Sequence, residues 1–358
     1  MAFSKKAPQP PASDTRECNT LKIDAALLAY DFKAIPRLAR ELEDAGVDGV
    51  FTFEGPTEPF TPLFLAAEHT TRLELATGVA VAFARNPMVL AQLAQELAVA
   101  SDGRFRLGLG SQVKAHIERR FSETWSHPHA RMRELISAVR AIWRSWNEDE
   151  PLDFRGRFYT HTLMTPLFRP GVAPGGPPPL ELAGVGEAMT RVAAETADSL
   201  VVHPFHSAKS LAAVTLPALT KGATEAARAR PGLVCQVMAA VADDEAGLVE
   251  ARSMVRTQIA FYASTKAYRS VLEAEGLAEL GPELAALVRA GRWDAMADAV
   301  PASLVDAVAP SGTPEEVGRE LALRHVGMAD RLALAMPYPL PASLIGRLAD
   351  AARSSVSS

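Results

Sequence analysis

Side chains that could move protons follow two short apolar segments of the chain. Glu54 comes directly after Val50-Phe-Thr-Phe53, and His116 lies a few residues after the segment 105–110. Carboxyl and imidazole groups are the side chains that most often donate or accept a proton in catalysis. Glu54 and His116 are therefore the candidate catalytic residues, with Glu54 as the candidate general acid.

A second pattern predicts an anion site. Gly184-Val185-Gly186 separates an apolar segment from a segment of helical pattern that begins at Glu187. The first N–H groups of a helix have no partners within it, and together with the helix dipole they attract phosphate. We therefore predict that a phosphate group contacts the amides of residues 184–186 and the hydroxyl of Ser111, which follows another glycine-containing segment.

Short apolar segments alternate along the chain with longer segments of helical period. Strands are predicted at residues 21–28, 49–54, 73–81, 105–110, 180–183, 199–203, 234–241 and 331–336. Strands that alternate with helices build a parallel sheet, and eight of them close most simply into a (β/α)₈ TIM barrel. An open doubly wound sheet is the alternative, although no G-x-G-x-x-G motif follows the first strand. In a barrel, the carboxyl ends of the strands form the site.

Two segments are longer than ordinary connections, one after strand four and one after strand seven. Residues 151–179 are rich in proline and contain Asp153-Phe-Arg-Gly-Arg-Phe-Tyr159, which predicts a small hairpin. Residues 243–310 are largely helical in pattern. Long loops after barrel strands can cover a site, so both are expected to be lids within a single domain of residues 21–353. Residues 1–20 are rich in proline and are predicted to be a disordered lead-in.

Composition limits the kinds of partner. The 358 residues carry a net charge of −5, which provides no basic surface for nucleic acid or for an anionic membrane. No apolar segment reaches the roughly 18 residues of a membrane span. The two cysteines, Cys18 and Cys235, are far apart and suit a reducing cytoplasm. His127 and His129 lack the further clustered ligands of a zinc site, so no metal is expected.

Three segments together resemble one protein family. Ser101-Asp-Gly-Arg-Phe-Arg-Leu-Gly-Leu-Gly-Ser111 resembles the fourth strand of the luciferase-like flavin and deazaflavin monooxygenases. Thr77-Gly-Val79 with Asn86-Pro87 resembles their third strand, and Leu182-Ala-Gly-Val-Gly186 resembles their cofactor-phosphate loop. The resemblance covers residues 21–338 and is strongest to the F420-dependent branch. It implies a (β/α)₈ barrel that binds coenzyme F420 or FMN.

The resemblance also implies roles for individual residues. The cofactor-binding residues that it implies are Gly78, Val79, Ser111, Gln112, His116, Gly184, Val185, Gly186 and His203. A non-proline cis peptide is implied between Gly78 and Val79, behind the tricyclic ring of the cofactor. Glu54 matches an acid that faces this ring in F420-dependent relatives. A histidine follows that acid in the relatives, but Gly55 stands in its place here, which leaves Glu54 without an adjacent proton relay.

Three functions fit these observations. The first is an F420-dependent oxidoreductase that transfers a hydride between the deazaflavin and a small organic substrate. The second is an FMN-dependent two-component monooxygenase that receives reduced flavin from a separate reductase and uses oxygen. The third is a non-catalytic flavin- or deazaflavin-binding protein. Lys114, Arg119 and Arg120 favour the first, because the anionic polyglutamate tail of F420 needs a basic groove. A cytoplasmic homodimer is the expected form.

Overall fold

Eight parallel strands close into a barrel in the computed structural model, which describes residues 21–28 and 31–356. The strands, numbered one to eight along the chain, are Lys22–Ala26, Gly49–Thr52, Glu74–Thr77 with its continuation Ala80–Val81, Phe105–Gly110, Leu180–Ala183, Ser199–Val202, Gly232–Val237 and Arg331–Leu334. Strand three closes the barrel by pairing with strand four, where Leu75 lies opposite Phe105. The predicted (β/α)₈ barrel is confirmed.

Helices follow the strands and cover the outside of the barrel. The principal helices are Ile35–Asp44, Thr61–His69, Pro87–Ala100, Lys114–Arg119, Pro128–Asn147, Gly186–Thr196, Leu216–Glu225, Glu245–Ala263, Arg269–Ala274, Leu280–Arg289, Trp293–Ala299, Ala302–Val308, Pro314–His325 and Ala342–Val356. Asn86 caps the helix that begins at Pro87, and Thr313 and Glu316 form a reciprocal capping box. Among the described residues, no helix is both long enough and apolar enough to cross a membrane.

Side chains along each strand alternate between the helix layer and the barrel interior. In strand four, Phe105, Leu107 and Leu109 belong to the main core between the barrel and its helices. The interior holds only a small apolar layer, formed by Phe51, Ala76, Val201, Val234 and Ala333. Charged side chains lie on one side of this layer and a cavity lies on the other.

The third strand is interrupted at Gly78–Val79, where the peptide bond is cis as predicted. Glycines of strand four pack directly against this interruption. A Cβ atom at Gly108 would lie 1.9 Å from the carbonyl oxygen of Thr77, and one at Gly110 would lie 2.7 Å from Cγ2 of Val79. Strand three therefore lies too close to the backbone of strand four for side chains at these two positions.

Charged side chains fill the amino-terminal end of the barrel. Arg106 of strand four donates to Asp24 at 2.6 Å and to Glu181 at 2.8 Å, and its Nε lies 3.3 Å from Glu74. Arg331 pairs with Asp24 and Glu74 as well. Burial opposes the charge on Arg106, but the surrounding carboxylates more than offset it and raise its pKa. This layer links five strands at the amino-terminal end of the barrel, opposite the expected site. Side chains at that end of a barrel stabilise the fold.

Both predicted insertions are confirmed. After strand four, Phe154–Arg155 pairs antiparallel with Thr160–His161, so the predicted hairpin exists and ends just beyond Tyr159. The insertion after strand seven is helical and is bracketed by a short parallel pair, Ala240–Val241 with Ser311–Gly312. The single seventh strand predicted over 234–241 is thus two strands. The predicted lead-in, residues 1–20, lies outside the described residues.

Candidate functional site

A cavity of about 730 Å³ opens at the carboxyl ends of the barrel strands. Residues in or directly after all eight strands line it, namely Ala26, Phe51, Val81, Gly110, Ala183, Val201, Gln236 and Ala335 in strand order. Cavities of this volume bind small molecules, and in barrel proteins the chemistry is carried out at this face. The strand order therefore brings together side chains that are up to about 300 residues apart in the sequence.

The structure brings most of the predicted site residues into this cavity. Those that line it are Glu54, Gly78, Val79, Ser111, Gln112, Val185 and His203. Gly184 and Gly186 line a small adjacent cleft, which shares Val185, His203 and Tyr268 with the cavity. His116 lies on the helix Lys114–Arg119, is exposed and is not among the lining residues, so its role stays a prediction.

Glu54 is held by an arginine that the sequence did not associate with it. Arg85 donates to both carboxylate oxygens, at 2.6 and 3.2 Å, and the amide of Val81 donates to one of them at 3.2 Å. The Glu54 side chain is only 6% exposed. Through these hydrogen bonds, Glu54 ties the loop after strand two to the continuation of strand three. Its role as a general acid stays a prediction.

The predicted phosphate loop is the start of a helix. Val185 occupies the N-cap of Gly186–Thr196 without a capping side chain, and Gly186 has a φ of +75°, with open space where a Cβ would lie. The Gly184 amide donates to the Val201 carbonyl at 3.2 Å, so it is engaged within the barrel. The amides of the first helical turn, from Gly186 onward, have no partner within the helix and are the donors left for the predicted phosphate.

His203 is part of an aromatic wall. Its ring stacks on Tyr268 with centroids 4.3 Å apart and meets the edge of Tyr262 at 4.5 Å. The Phe205 amide donates to Nδ1 at 3.1 Å, which places the ring proton on Nε2. Burial lowers the pKa of His203 to about 3, so the ring is neutral at neutral pH. His203 therefore contributes a neutral, hydrogen-bonding surface to the cavity.

Sequence reasoning missed several lining residues, among them Trp125, Gln236, Gln258, Tyr262 and Tyr268. Gln236 could have been predicted from the sequence, because strand alternation places it on the inward face of strand seven with Val234. Its side-chain amide donates to the Gly78 carbonyl at 2.8 Å. Tyr262 and Tyr268 come from the insertion after strand seven, and no local pattern shows how that insertion folds over the barrel.

The chain is a TIM-barrel protein with a cavity of small-molecule size at the barrel mouth. The chain belongs to the luciferase-like monooxygenase family, whose model matches residues 13–331. Members of this family are oxidoreductases or monooxygenases.

Similar proteins include both sequence relatives and solved structures. An uncharacterized protein of Mycobacterium tuberculosis H37Rv is 46% identical over 293 residues, which cover 81% of this chain and 86% of that protein. The 5,10-methylenetetrahydromethanopterin reductase of Archaeoglobus fulgidus is 25% identical over 80% of this chain and 84% of the reductase. The structure of the coenzyme F420 dependent tetrahydromethanopterin reductase from Methanopyrus kandleri superposes with a TM-score of 0.74 at 19% identity, over 92% and 96% of the two chains. That superposition shows a shared fold.

Proposed function

We propose that this protein is an F420-dependent oxidoreductase that transfers a hydride between the deazaflavin and a small organic substrate. The observation that carries the proposal is the cavity at the barrel mouth, with a bare helix start beside it and Lys114 at its edge. Family membership supports a flavin-type cofactor, and the solved reductase of the same fold is named for its dependence on F420. The deazaflavin supplies the hydride chemistry, and the protein supplies orientation and electrostatics.

The residues present fit such a group. Flat apolar and aromatic surfaces line the cavity, provided by Val79, Trp125, Val185, Met189 and Tyr262. They suit a planar ring system, whereas the first-turn amides of Gly186–Thr196 suit a phosphate.

A cationic rim at the cavity supports F420 over FMN as the cofactor. Lys114 lines the cavity, and its side chain is 66% exposed beside Glu118. Arg119 and Arg120 follow at the end of the same helix, and Arg120 also donates to the Gly55 carbonyl at 2.5 Å. These cations would attract the anionic tail of F420, which FMN lacks.

Titration of the purified full chain with F420 and with FMN tests this proposal. We expect F420 to bind at least about tenfold more tightly than FMN, since an exposed charge near a charged ligand is worth on the order of 1 kcal/mol. We expect Lys114→Glu to weaken the binding of F420 but not that of FMN. Hydride transfer is then followed as the loss of F420 absorbance with a panel of small alcohols. Tighter FMN binding would favour the two-component monooxygenase, and tight F420 binding without turnover of any substrate would favour a binding protein.

We also propose that Glu54 positions the site through Arg85 and Val81. Glutamine keeps the shape of Glu54 and retains an oxygen that can accept from both partners. Glu54→Gln is therefore expected to keep cofactor binding and to reduce turnover by less than about tenfold, whereas loss of a general acid costs about 10²–10⁴. The measurement is steady-state turnover of the cofactor-loaded protein. Glu54→Leu, which removes both acceptors, should lower the melting temperature and the cofactor affinity together.

A further inference from the structure

Three potential metal ligands meet outside the barrel wall. Cys235 lies on strand seven between Val234 and Gln236, whose side chains face the barrel interior, so its own side chain faces the helices. His206 comes from the loop after strand six, and His325 is the last residue of the helix Pro314–His325. One ring nitrogen of His206, one of His325 and the Cys235 Sγ atom all lie within 4.8 Å of one another. All three residues are at least 95% buried.

Hydrogen bonds determine which nitrogens of the two imidazoles carry protons. Nδ1 of His206 lies 2.9 Å from the carbonyl oxygen of His203, and Nδ1 of His325 lies 2.8 Å from that of Leu321. A carbonyl oxygen only accepts, so each Nδ1 must donate its proton. In the neutral rings, both Nε2 atoms then carry lone pairs. These two atoms face each other at 3.0 Å.

Two facing lone pairs at this distance repel unless something positive lies between them. One solution is an additional proton, which would make one ring a buried cation beside two uncharged neighbours. The other is a metal ion, for which bare Nε2 atoms anchored through Nδ1–H to a carbonyl are the usual arrangement. The nearby thiol favours the metal, because it supplies a third ligand and, once deprotonated, a compensating negative charge.

We propose that His206, Cys235 and His325 bind a thiophilic d¹⁰ metal ion, Zn²⁺ or Cu⁺. Imidazole and thiolate together suit these ions. With metal–nitrogen bonds of about 2.0–2.1 Å, the two Nε2 atoms of a tetrahedral site lie about 3.3 Å apart, so the rings need to separate by only a few tenths of an ångström. On binding, the Cys235 thiol releases its proton to solvent as the metal–sulfur bond forms, whereas the imidazoles lose none.

The site would act as a structural clamp. It would join strand seven, the last turn of Pro314–His325 and the loop that begins at His203. Because His203 lines the cavity and its carbonyl accepts from His206, the metal would hold this part of the cavity wall in place. This inference does not depend on which cofactor the cavity binds.

Metal content of the tag-free full chain tests the inference. The protein is stripped with chelator, incubated with Zn²⁺ or, without oxygen, with Cu⁺, dialysed, and measured by mass spectrometry and thermal melting. We expect about one ion per chain for at least one metal, together with a higher melting temperature, since a ligand that binds only the folded state stabilises it. Cys235→Ser should lose most of the bound metal and the stabilisation. His129→Gln, which changes a histidine outside the cluster, should lose neither.

Two results would overturn the inference. If the wild-type chain retains neither Zn²⁺ nor Cu⁺, the inference fails, and no variant is needed to show it. Equal metal retention in the wild type and in Cys235→Ser would place the ion elsewhere. If Cys235→Ser does not fold, His325→Gln replaces it, because the glutamine amide can donate a hydrogen bond but provides no imidazole ligand; undiminished metal content in that variant would have the same meaning.

Discussion

Replacing Arg106 by methionine is expected to lower the free energy of unfolding by about 3–5 kcal/mol, the usual cost of removing one partner from a buried ion pair. Arg106 is almost wholly buried and contacts Asp24, Glu74 and Glu181. Methionine fills much of the same volume, so the lower free energy of unfolding measures the removal of the charge rather than the creation of a cavity. Chemical denaturation of the two proteins at neutral pH measures the difference.

Two comparisons show whether the loss comes from the charged layer. Arg347→Met removes an arginine that bridges Asp243 and Glu315 on the surface, and it should change stability far less. Glu181→Gln should cost less in the Arg106→Met background than in the wild type, because its partner is already gone. Equal costs of Glu181→Gln in both backgrounds would contradict the proposed coupling.

Val185→Asp is expected to weaken cofactor binding by about 10²-fold while making the protein without cofactor more stable. Val185 is the N-cap of Gly186–Thr196, with extended backbone angles and no side-chain cap. An aspartate there would accept from the first-turn amides and stabilise the helix by about 0.5–2 kcal/mol. It would thereby compete for the donors proposed to bind phosphate and would repel the anion. Displacing two charge-assisted hydrogen bonds costs about 3 kcal/mol, or about 10²-fold in affinity.

Val185→Asn is the matched control for charge. Asparagine caps a helix about as well as aspartate but carries no charge, so it should stabilise the helix similarly and weaken binding less. Calorimetric titration with F420 and with FMN measures both variants, since both cofactors carry the phosphate. Unchanged affinity in Val185→Asp, in a protein that is more stable, would show that the phosphate binds elsewhere.

The sequence alone determined the barrel and the face on which its cavity opens. Alternation between short apolar segments and helical ones predicted eight strands, because strand and helix periods are local properties of the chain. Resemblance to the family located the cis bond at Gly78–Val79. Residues at the carboxyl ends of strands were predicted to meet because closure of a barrel brings all those ends to one face.

Only the tertiary structure decided what each of these residues contacts. Glu54 pairs with Arg85, which is 31 residues away in the sequence. His206, Cys235 and His325 belong to three different elements, and their meeting depends on how strand seven packs against the last turn of Pro314–His325. The charged layer around Arg106 arises from inward positions on separate strands. Such contacts follow from the register of the closed sheet and the packing of helices on it, which local periodicity does not specify.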